Sequence, residues 1–328
     1  MVQLTGGDRT DVLAAAREAF PGLTWQHAEI PDQGLDHHVA VLSGATGVPG
    51  SAGATTAEPL TVVARLATAP GVVGRADVEA GVLAAVDHRA PAAVPRALAT
   101  DGDSLTLARH IPGEPLSDRV WGLLDDAHRR TIAAHLAATL DAIHGIDAAG
   151  IDGHDGLGGI GTAESLLAGV GASWFPIKHS TLAKTVDEHV LPILDAREAE
   201  LTGTIMAEAE ATFITDPVAP RLIHGDLHET HLRWDDTAGR GSLGVIDFSD
   251  MTLADPAIDV AHLAGISPDL HARVVSDLAA ADADLERRAA IYSRWDAVFL
   301  LADHVVTGRT PETTARALFG RALESMGR

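Results

Sequence analysis

The residues best able to do chemistry lie in Leu222-Ile-His-Gly-Asp-Leu-His-Glu-Thr-His-Leu232, where an apolar pair delivers the chain to His224-Gly225-Asp226. His231 follows five residues after Asp226, and Asp247 stands further on, inside Gly244-Val-Ile-Asp-Phe248. Two apolar strands therefore each carry a carboxylate at their end, with an imidazole between them. Phosphoryl transfer to an alcohol needs such a set. One carboxylate accepts the proton of the hydroxyl, while two further groups hold Mg²⁺ against the β- and γ-phosphates of a nucleoside triphosphate. A five-residue loop returns His231 to the metal side, and the next strand supplies Asp247. Alone, Asp226 would be a turn residue and Asp247 a strand-end cap; their order and spacing together favour catalysis.

The elements around this segment must position it. Thr10 to Phe20 predicts a short helix with Val12, Leu13, Ala16 and Phe20 on one face, ended by Pro21-Gly22. Strand-like stretches follow at 25–30, 38–42, 61–66 and 105–111, with a helix over 74–88 whose apolar face is Val78, Val82, Leu83 and Val86. The segment 44–59 is small, polar and Gly-rich and reads as a loop. Beyond Pro112-Gly113 the pattern is helical. Ile132, Leu136, Leu140 and Ile143 mark one face of a helix over 127–144, stopped by Gly145. Residues 145–162 read as a connector and 182–200 as a helix kinked at Pro192. Three more helices begin at Pro268, Leu285 and Pro311. The fold class is α+β, with a strand-rich lobe over residues 1–111 and a larger helical lobe over 112–328.

Composition narrows the partners. The 328 residues are 46% apolar, enough for a packed core. A formal charge of −22 repels phosphate backbones, which argues against nucleic acid as a partner. Solubility is the ordinary meaning of such a surface, and it also steers cationic small molecules inward. With no cysteine, disulfides, thiolate metal sites and a cysteine nucleophile are excluded. The N-terminus shows no secretory pattern and no apolar run is long enough to span a membrane, so the expected compartment is the cytoplasm.

The segment 222–260 resembles the aminoglycoside phosphotransferase and macrolide kinase families, which share the bilobal protein-kinase-like fold. The loop ends in Asn in most members, but His231 here is similar to the macrolide kinases and to one branch of the aminoglycoside kinases. Ile246-Asp247-Phe248-Ser249-Asp250 resembles their form of the kinase D-F-G, and Asp255-Pro-Ala-Ile-Asp259-Val resembles the D-P-x-x-D segment after it. Of these last two aspartates, the first is expected to brace the catalytic loop and the second to cap or pin the next helix. Gln33-Gly34-Leu35-Asp36 looks like the macrolide kinases' nucleotide loop, although a full G-x-G-x-x-G is missing. Val63-Ala-Arg65-Leu resembles the third strand, where protein kinases carry Lys. The resemblance implies that Arg65 contacts the α/β-phosphates and pairs with Glu79. It also makes Leu107-Ala-Arg-His110-Ile111 the hinge whose backbone binds the base.

The resemblance implies a Mg²⁺-dependent kinase that transfers the γ-phosphoryl of ATP or GTP to the hydroxyl of an antibiotic, with the nucleotide clamped between lobes. Asp226 would be the base, His231 and Asp247 the metal ligands, and Gly34, Arg65, Glu79, His110 and Ile111 the nucleotide contacts. The acceptor is a small molecule, possibly cationic. Macrolide is suggested by Gly34 to Asp36 and His231; aminoglycoside is suggested by 246–250 and the acidic surface. A nucleoside antibiotic or another metabolite hydroxyl also fits. Two other classes stay open. His224, His228 and His231 with Glu229 could hold zinc in a hydrolase, although H-E-x-x-H is not formed. The missing loop glycines and Arg65 would also suit a nucleotide-binding pseudokinase.

Overall fold

The computed structural model describes residues 11–31, 37–49, 59–68, 73–101, 104–146, 168–171, 173–237, 241–279 and 281–327. Gly34 with the rest of 32–36, residues 50–58 of the Gly-rich segment and most of the expected connector lie outside them. In chain order the elements are α1 (Asp11–Ala19), β1 (His27–Glu29), β2 (His37–Ala45), β3 (Leu60–Ala67), α2 (Ala76–Asp87), β4 (Ala97–Thr100) and β5 (Leu105–Arg109). Then come β6 (Glu114–Pro115), α3 (Asp118–Leu123), α4 (Asp126–His144), α5 (Phe175–Thr185), α6 (Ala196–Glu210), β7 (Arg221–Ile223), β8 (Leu232–Asp235) and β9 (Ser242–Val245). The chain closes with β10 (Thr252–Ala254), α7 (Ala257–Val260), α8 (Leu263–Ile266), α9 (Pro268–Asp277), α10 (Leu285–Thr307) and α11 (Glu312–Met326). This is the expected α+β, protein-kinase-like architecture.

Two compact units divide these elements. The first comprises Met1–Leu116, Gly145–Val170 and Thr230–Asp250; the second comprises Ser117–His144, Gly171–Glu229 and Met251–Arg328. In the first, five antiparallel strands run in the order β1-β2-β3-β5-β4. Val12, Ala16 and Phe20 of α1 pack with Ala40, Leu42, Val62, Ala64, Leu105 and Leu107 into its core. Strand side chains alternate between faces, so burying Val62 and Ala64 in that core sends Arg65 to the opposite face. A second small sheet, β6-β8-β9, belongs to the same unit. Ala93 ties it in, donating its N–H to Leu243 O at 2.8 Å and accepting from Val245 N–H at 2.8 Å.

The second unit is built on helices. Ile132, Leu136, Leu140 and Ile143 of α4 are buried, the face expected from their spacing. The long α10 packs against α6, α7 and α11, burying Trp295 and Val298 and leaving Phe299 partly exposed. One two-stranded antiparallel pair, β7 with β10, lies among them, with Ile223 opposite Thr252. Among the described residues no helix is long and apolar enough to cross a membrane.

The expected single helix over 182–200 is instead two. After α5 the backbone widens into a π turn at Val186–Val190 and tightens at Leu191–Ile193. Leu194 is then fully extended, and Asp195 starts α6. The physical reason is local: Asp195 and Glu198 form a reciprocal capping box, so a new helix start competes with continuation. Pro192 sits within the tight turn rather than in a kink.

A buried cation joins α10 to the segment after β10 in this unit. Arg288 on α10 donates to Asp255 at 2.7 and 3.3 Å and to Asp282 at 2.8 and 2.8 Å. Asp282 and Asp255 together hold its pKa above the ordinary guanidinium value despite burial. Arg288→Met would leave Asp255 buried without its counter-charge. It should destabilise the protein by about 3 kcal/mol, measured by urea denaturation, whereas Arg287→Met, at an exposed neighbour, should change little.

Candidate active site

In the second unit the segment expected to carry the base leaves β7 at Ile223 and turns at Gly225, whose φ of 88° lies in the left-handed region that favours glycine. The turn is held from behind by Asp259, which is fully buried. Its Oδ2 accepts the His224 N–H at 3.0 Å, and its Oδ1 accepts the Gly225 N–H at 2.9 Å. His144 Nε2 reaches the same carboxylate at 2.9 Å. Burial opposes the charged form of Asp259, yet His144, His224 and the Gly225 amide hold its pKa below the ordinary carboxylate value.

The roles expected for the two scaffold aspartates are therefore exchanged. Asp259 braces the turn at His224-Gly225, and Asp255 caps the next helix by accepting the Ala257 N–H at 2.9 Å. Pro256 explains the exchange. It turns the chain into α7 directly after β10, which leaves Asp255 at a helix start where free amides gather. Asp259, one helical turn later, lands on the buried side.

Asp226 itself is half-buried. Its N–H donates to His224 Nδ1 at 3.3 Å, and His228 Nε2 lies 3.7 Å from its Oδ2. Burial works against a charged His228, but Asp226 first, then Asp296 and Glu229, raise its pKa above the ordinary imidazole value. The zinc reading loses a ligand here. His224 has no exposed surface, and its Nδ1 already accepts the Asp226 N–H.

His231 and Asp247 lie in the first unit, on the β8–β9 hairpin. Leu232 pairs with Val245, and the Ile246 N–H donates to His231 O at 2.9 Å. This register places the two side chains together, with His231 Nε2 3.5 Å from Asp247 Oδ2. Asp247 has a φ of 64°. It is the one non-glycine with positive φ among the described residues, a strained conformation that the surrounding bonds must hold. Ser249 Oγ donates to its Oδ1 at 2.7 Å, and Arg65 Nη2 donates to the same oxygen at 3.2 Å.

Arg65 also pairs with Glu79 of α2, as expected. Burial works against its charge, but Glu79 and then Asp247 raise its pKa above the ordinary guanidinium value, so it is a permanent cation. Arg65, Glu79, His231 and Asp247 are thus one connected group. At the expected hinge, the His110 N–H donates to Thr61 O at 3.1 Å, which commits that amide to the sheet. Ile111 presses on Gly244 so closely that a Cβ there would meet its Cγ2 at 2.3 Å. Gly34 lies outside the described residues.

A divalent ion fits the pair His231 and Asp247. Their donor atoms are 3.5 Å apart, slightly wider than the roughly 3 Å between adjacent ligands of an octahedral Mg²⁺. The carboxylate suits Mg²⁺, and the imidazole shifts the donor set toward Mn²⁺. Two residues escaped the sequence reading. His144 continues the row Ile132, Leu136, Leu140 at spacing four, so a polar residue on an apolar row was its signal. Asp296 carries no motif.

This fold, with a basic strand residue paired to a helix glutamate and a hairpin carrying a strained aspartate, defines a protein-kinase-like phosphotransferase. The model of the phosphotransferase enzyme family matches residues 52–292, and the chain belongs to that family. Among solved structures, the GDP and kanamycin complex of APH(2″)-IIIa is similar, with a TM-score of 0.72 at 18% identity over 96% of this chain and 98% of that one. Macrolide 2′-phosphotransferase type I gives 0.60 at 19% identity, over 98% and 99%. Macrolide 2′-phosphotransferase MphH from Brachybacterium faecium gives 0.59 at 19%, over 96% and 98%. No curated protein sequence matches.

The group around Arg65 makes a direct prediction. Lysine has one ammonium and cannot bond Glu79 and Asp247 through separate nitrogens as Arg65 does. Arg65→Lys should therefore lower kcat/KM for the nucleotide by about tenfold, and Arg65→Met by considerably more. Initial rates at varied nucleotide concentration check this.

Proposed function

We propose that this protein is an antibiotic kinase that transfers the γ-phosphoryl group of ATP or GTP to a hydroxyl of a macrolide or aminoglycoside, conferring resistance. The observation that carries the reading is Arg65 bonded to both Glu79 and Asp247, the charge arrangement that phosphoryl transfer uses to orient a triphosphate. Asp226 accepts the proton of the attacking hydroxyl. The oxygen–phosphorus bond to the acceptor forms as the bond between γ-phosphorus and its bridging oxygen breaks, and the nucleoside diphosphate leaves. His231 and Asp247 would hold Mg²⁺, which supplies charge neutralisation at the phosphates. Arg65 neutralises and aligns the α/β-phosphates, and His110 and Ile111 border the base. Solved relatives carry GDP in one case and ATP in another, which supports keeping both donors.

A cationic acceptor is supported by the second unit's own chemistry. Asp296 on α10 keeps 22% of its side-chain surface exposed, and His262 Nε2 lies 3.8 Å away, beyond hydrogen-bond reach. Burial raises its pKa above the ordinary carboxylate value; His262 opposes this, Asp226 adds to it, and His228 and Lys178 oppose it. A carboxylate so placed gains from an ammonium group. On the same helix, Phe299 stacks on the buried Trp295 at 5.9 Å and is itself partly exposed. An amine-bearing, partly apolar alcohol matches that surroundings.

The deciding experiment measures Mg²⁺-dependent diphosphate release from ATP and GTP with kanamycin, gentamicin, streptomycin and a macrolide such as erythromycin. Acceptor-stimulated turnover is expected, and Asp226→Asn should lower kcat by about three orders of magnitude with nucleotide affinity retained. Absence of any nucleotide binding would refute the kinase reading. Because the pKa of Asp296 is raised, its charged form is gained as pH rises through that raised value. Affinity for an amine acceptor should therefore rise with pH above the ordinary carboxylate range. Asp296→Asn should flatten that rise and increase the acceptor KM by about tenfold.

A further inference from the structure

We infer that His144 is a positioning residue of the phosphotransferase: it completes the hydrogen bonding of Asp259 and so sets the backbone that aims Asp226. The inference rests on the reading of Asp226 as the base, and it concerns a residue 82 positions earlier in the chain. His144 is the last residue of α4, 3% exposed, and its Nε2 meets Asp259 Oδ2 at 2.9 Å. That oxygen also accepts the His224 N–H at 3.0 Å, while the other accepts the Gly225 N–H at 2.9 Å. Asp259 therefore has three donors and no solvent.

A buried carboxylate holds its place only while its oxygens are satisfied. The two amides come from consecutive residues of one turn and cannot restrain Asp259 independently of that turn. His144 is the donor that comes from elsewhere, anchored by the buried row Ile132, Leu136 and Leu140 on the same helix. Removing it leaves Oδ2 with one donor and frees the carboxylate to swing. The turn at Gly225, with its positive φ, loses the fixed acceptor that holds it. Asp226 is the next residue. Its own N–H is directed at His224 Nδ1, so a shift of the turn moves the base. The tautomer follows from the same geometry: His144 presents a proton at Nε2, because Asp259 can only accept.

Three variants separate positioning from simple packing. His144→Gln can place an amide N–H close to the former Nε2, His144→Asn is too short to do so, and His144→Leu fills space without a donor. Phosphoryl transfer to the best acceptor of the panel above would be measured with ATP or GTP, alongside thermal melting and GDP binding. The expected result is a kcat lower by on the order of tenfold to a hundredfold in the Leu and Asn variants. The nucleotide KM should stay within about threefold. His144→Gln should recover most of the rate even where its melting temperature stays as low as that of His144→Asn. Equal rates for the Gln and Asn variants, or a wild-type kcat in His144→Leu, would overturn the assignment. If His144→Leu does not fold, the Gln and Asn comparison decides alone. Asp226→Asn run in parallel keeps the two ideas apart: its retained activity removes the base, whereas its inactivity beside an active His144→Leu removes only the positioning role.

Discussion

A carboxylate with no exposed surface cannot remain charged unless donors surround it, and much of the segment after β7 is organised around satisfying Asp259. Its three donors come from a helix end and from two consecutive backbone amides, so one side chain links α4, α7 and the turn after β7. The turn needs that acceptor. Two successive N–H groups pointing the same way repel one another unless an anion lies before them. Glycine at 225 makes the backbone conformation accessible, and the carboxylate makes it the preferred one. A rigid backbone is what a catalytic base requires, since reaction rates fall steeply when a reacting group is displaced by an ångström.

The first unit solves a different problem with the opposite charge. Arg65 is held against burial by two carboxylates, one on α2 and one at the end of the β8–β9 hairpin. Sharing a guanidinium between them joins a helix, a central strand and the strained Asp247 in one electrostatic group. Asp247 keeps its unusual backbone because Ser249 and Arg65 both bond its Oδ1, leaving Oδ2 facing His231. Guanidinium geometry is suited to this. Its nitrogens can serve two acceptors in different directions, which an ammonium on a flexible stem does less rigidly.

How much of this was legible in the residues depended on whether local spacing carried the information. The apolar rows of α1, α2 and α4 are consequences of periodicities that can be counted, and β3 of its β-branched run, whereas the pairing of Arg65 with Glu79 is implied by the family resemblance. The two scaffold aspartates were legible as a pair but not by role. Which of Asp255 and Asp259 turns inward depends on how Pro256 redirects the chain, a matter of three-dimensional path. The break before Asp195 was missed because the apolar pattern continues across it while the capping box acts through two polar side chains. His144 was passed over because a histidine before a glycine reads as a helix end. Its meaning depends on Asp259, 115 residues away. Asp296 depends likewise on tertiary neighbours, since nothing beside it on α10 marks a carboxylate as underpaired. The expected division at residue 111 has the same origin: cutting by sequence cannot show that Thr230–Asp250 groups with the strand-rich unit.

Charge acts here on two length scales that composition alone merges. The overall −22 draws cations from a distance, but salt screens that attraction within about 10 Å at ordinary ionic strength. It therefore affects the rate of encounter more than the identity of what is held. Discrimination needs a carboxylate that lacks a donor of its own, because an exposed, hydrated acid gains little from an ammonium. Most acidic side chains described here are either solvated or already bonded, as Asp255 and Asp259 are by Arg288 and His144. Asp296 is intermediate: burial disfavours its charge although 22% of its side chain is exposed, and His262 Nε2 lies 3.8 Å away. A neutral alcohol would leave that cost in place, whereas an amine-bearing one removes it. In the proposed reading, the surroundings of Asp296, rather than the abundance of acid, would favour a cationic acceptor.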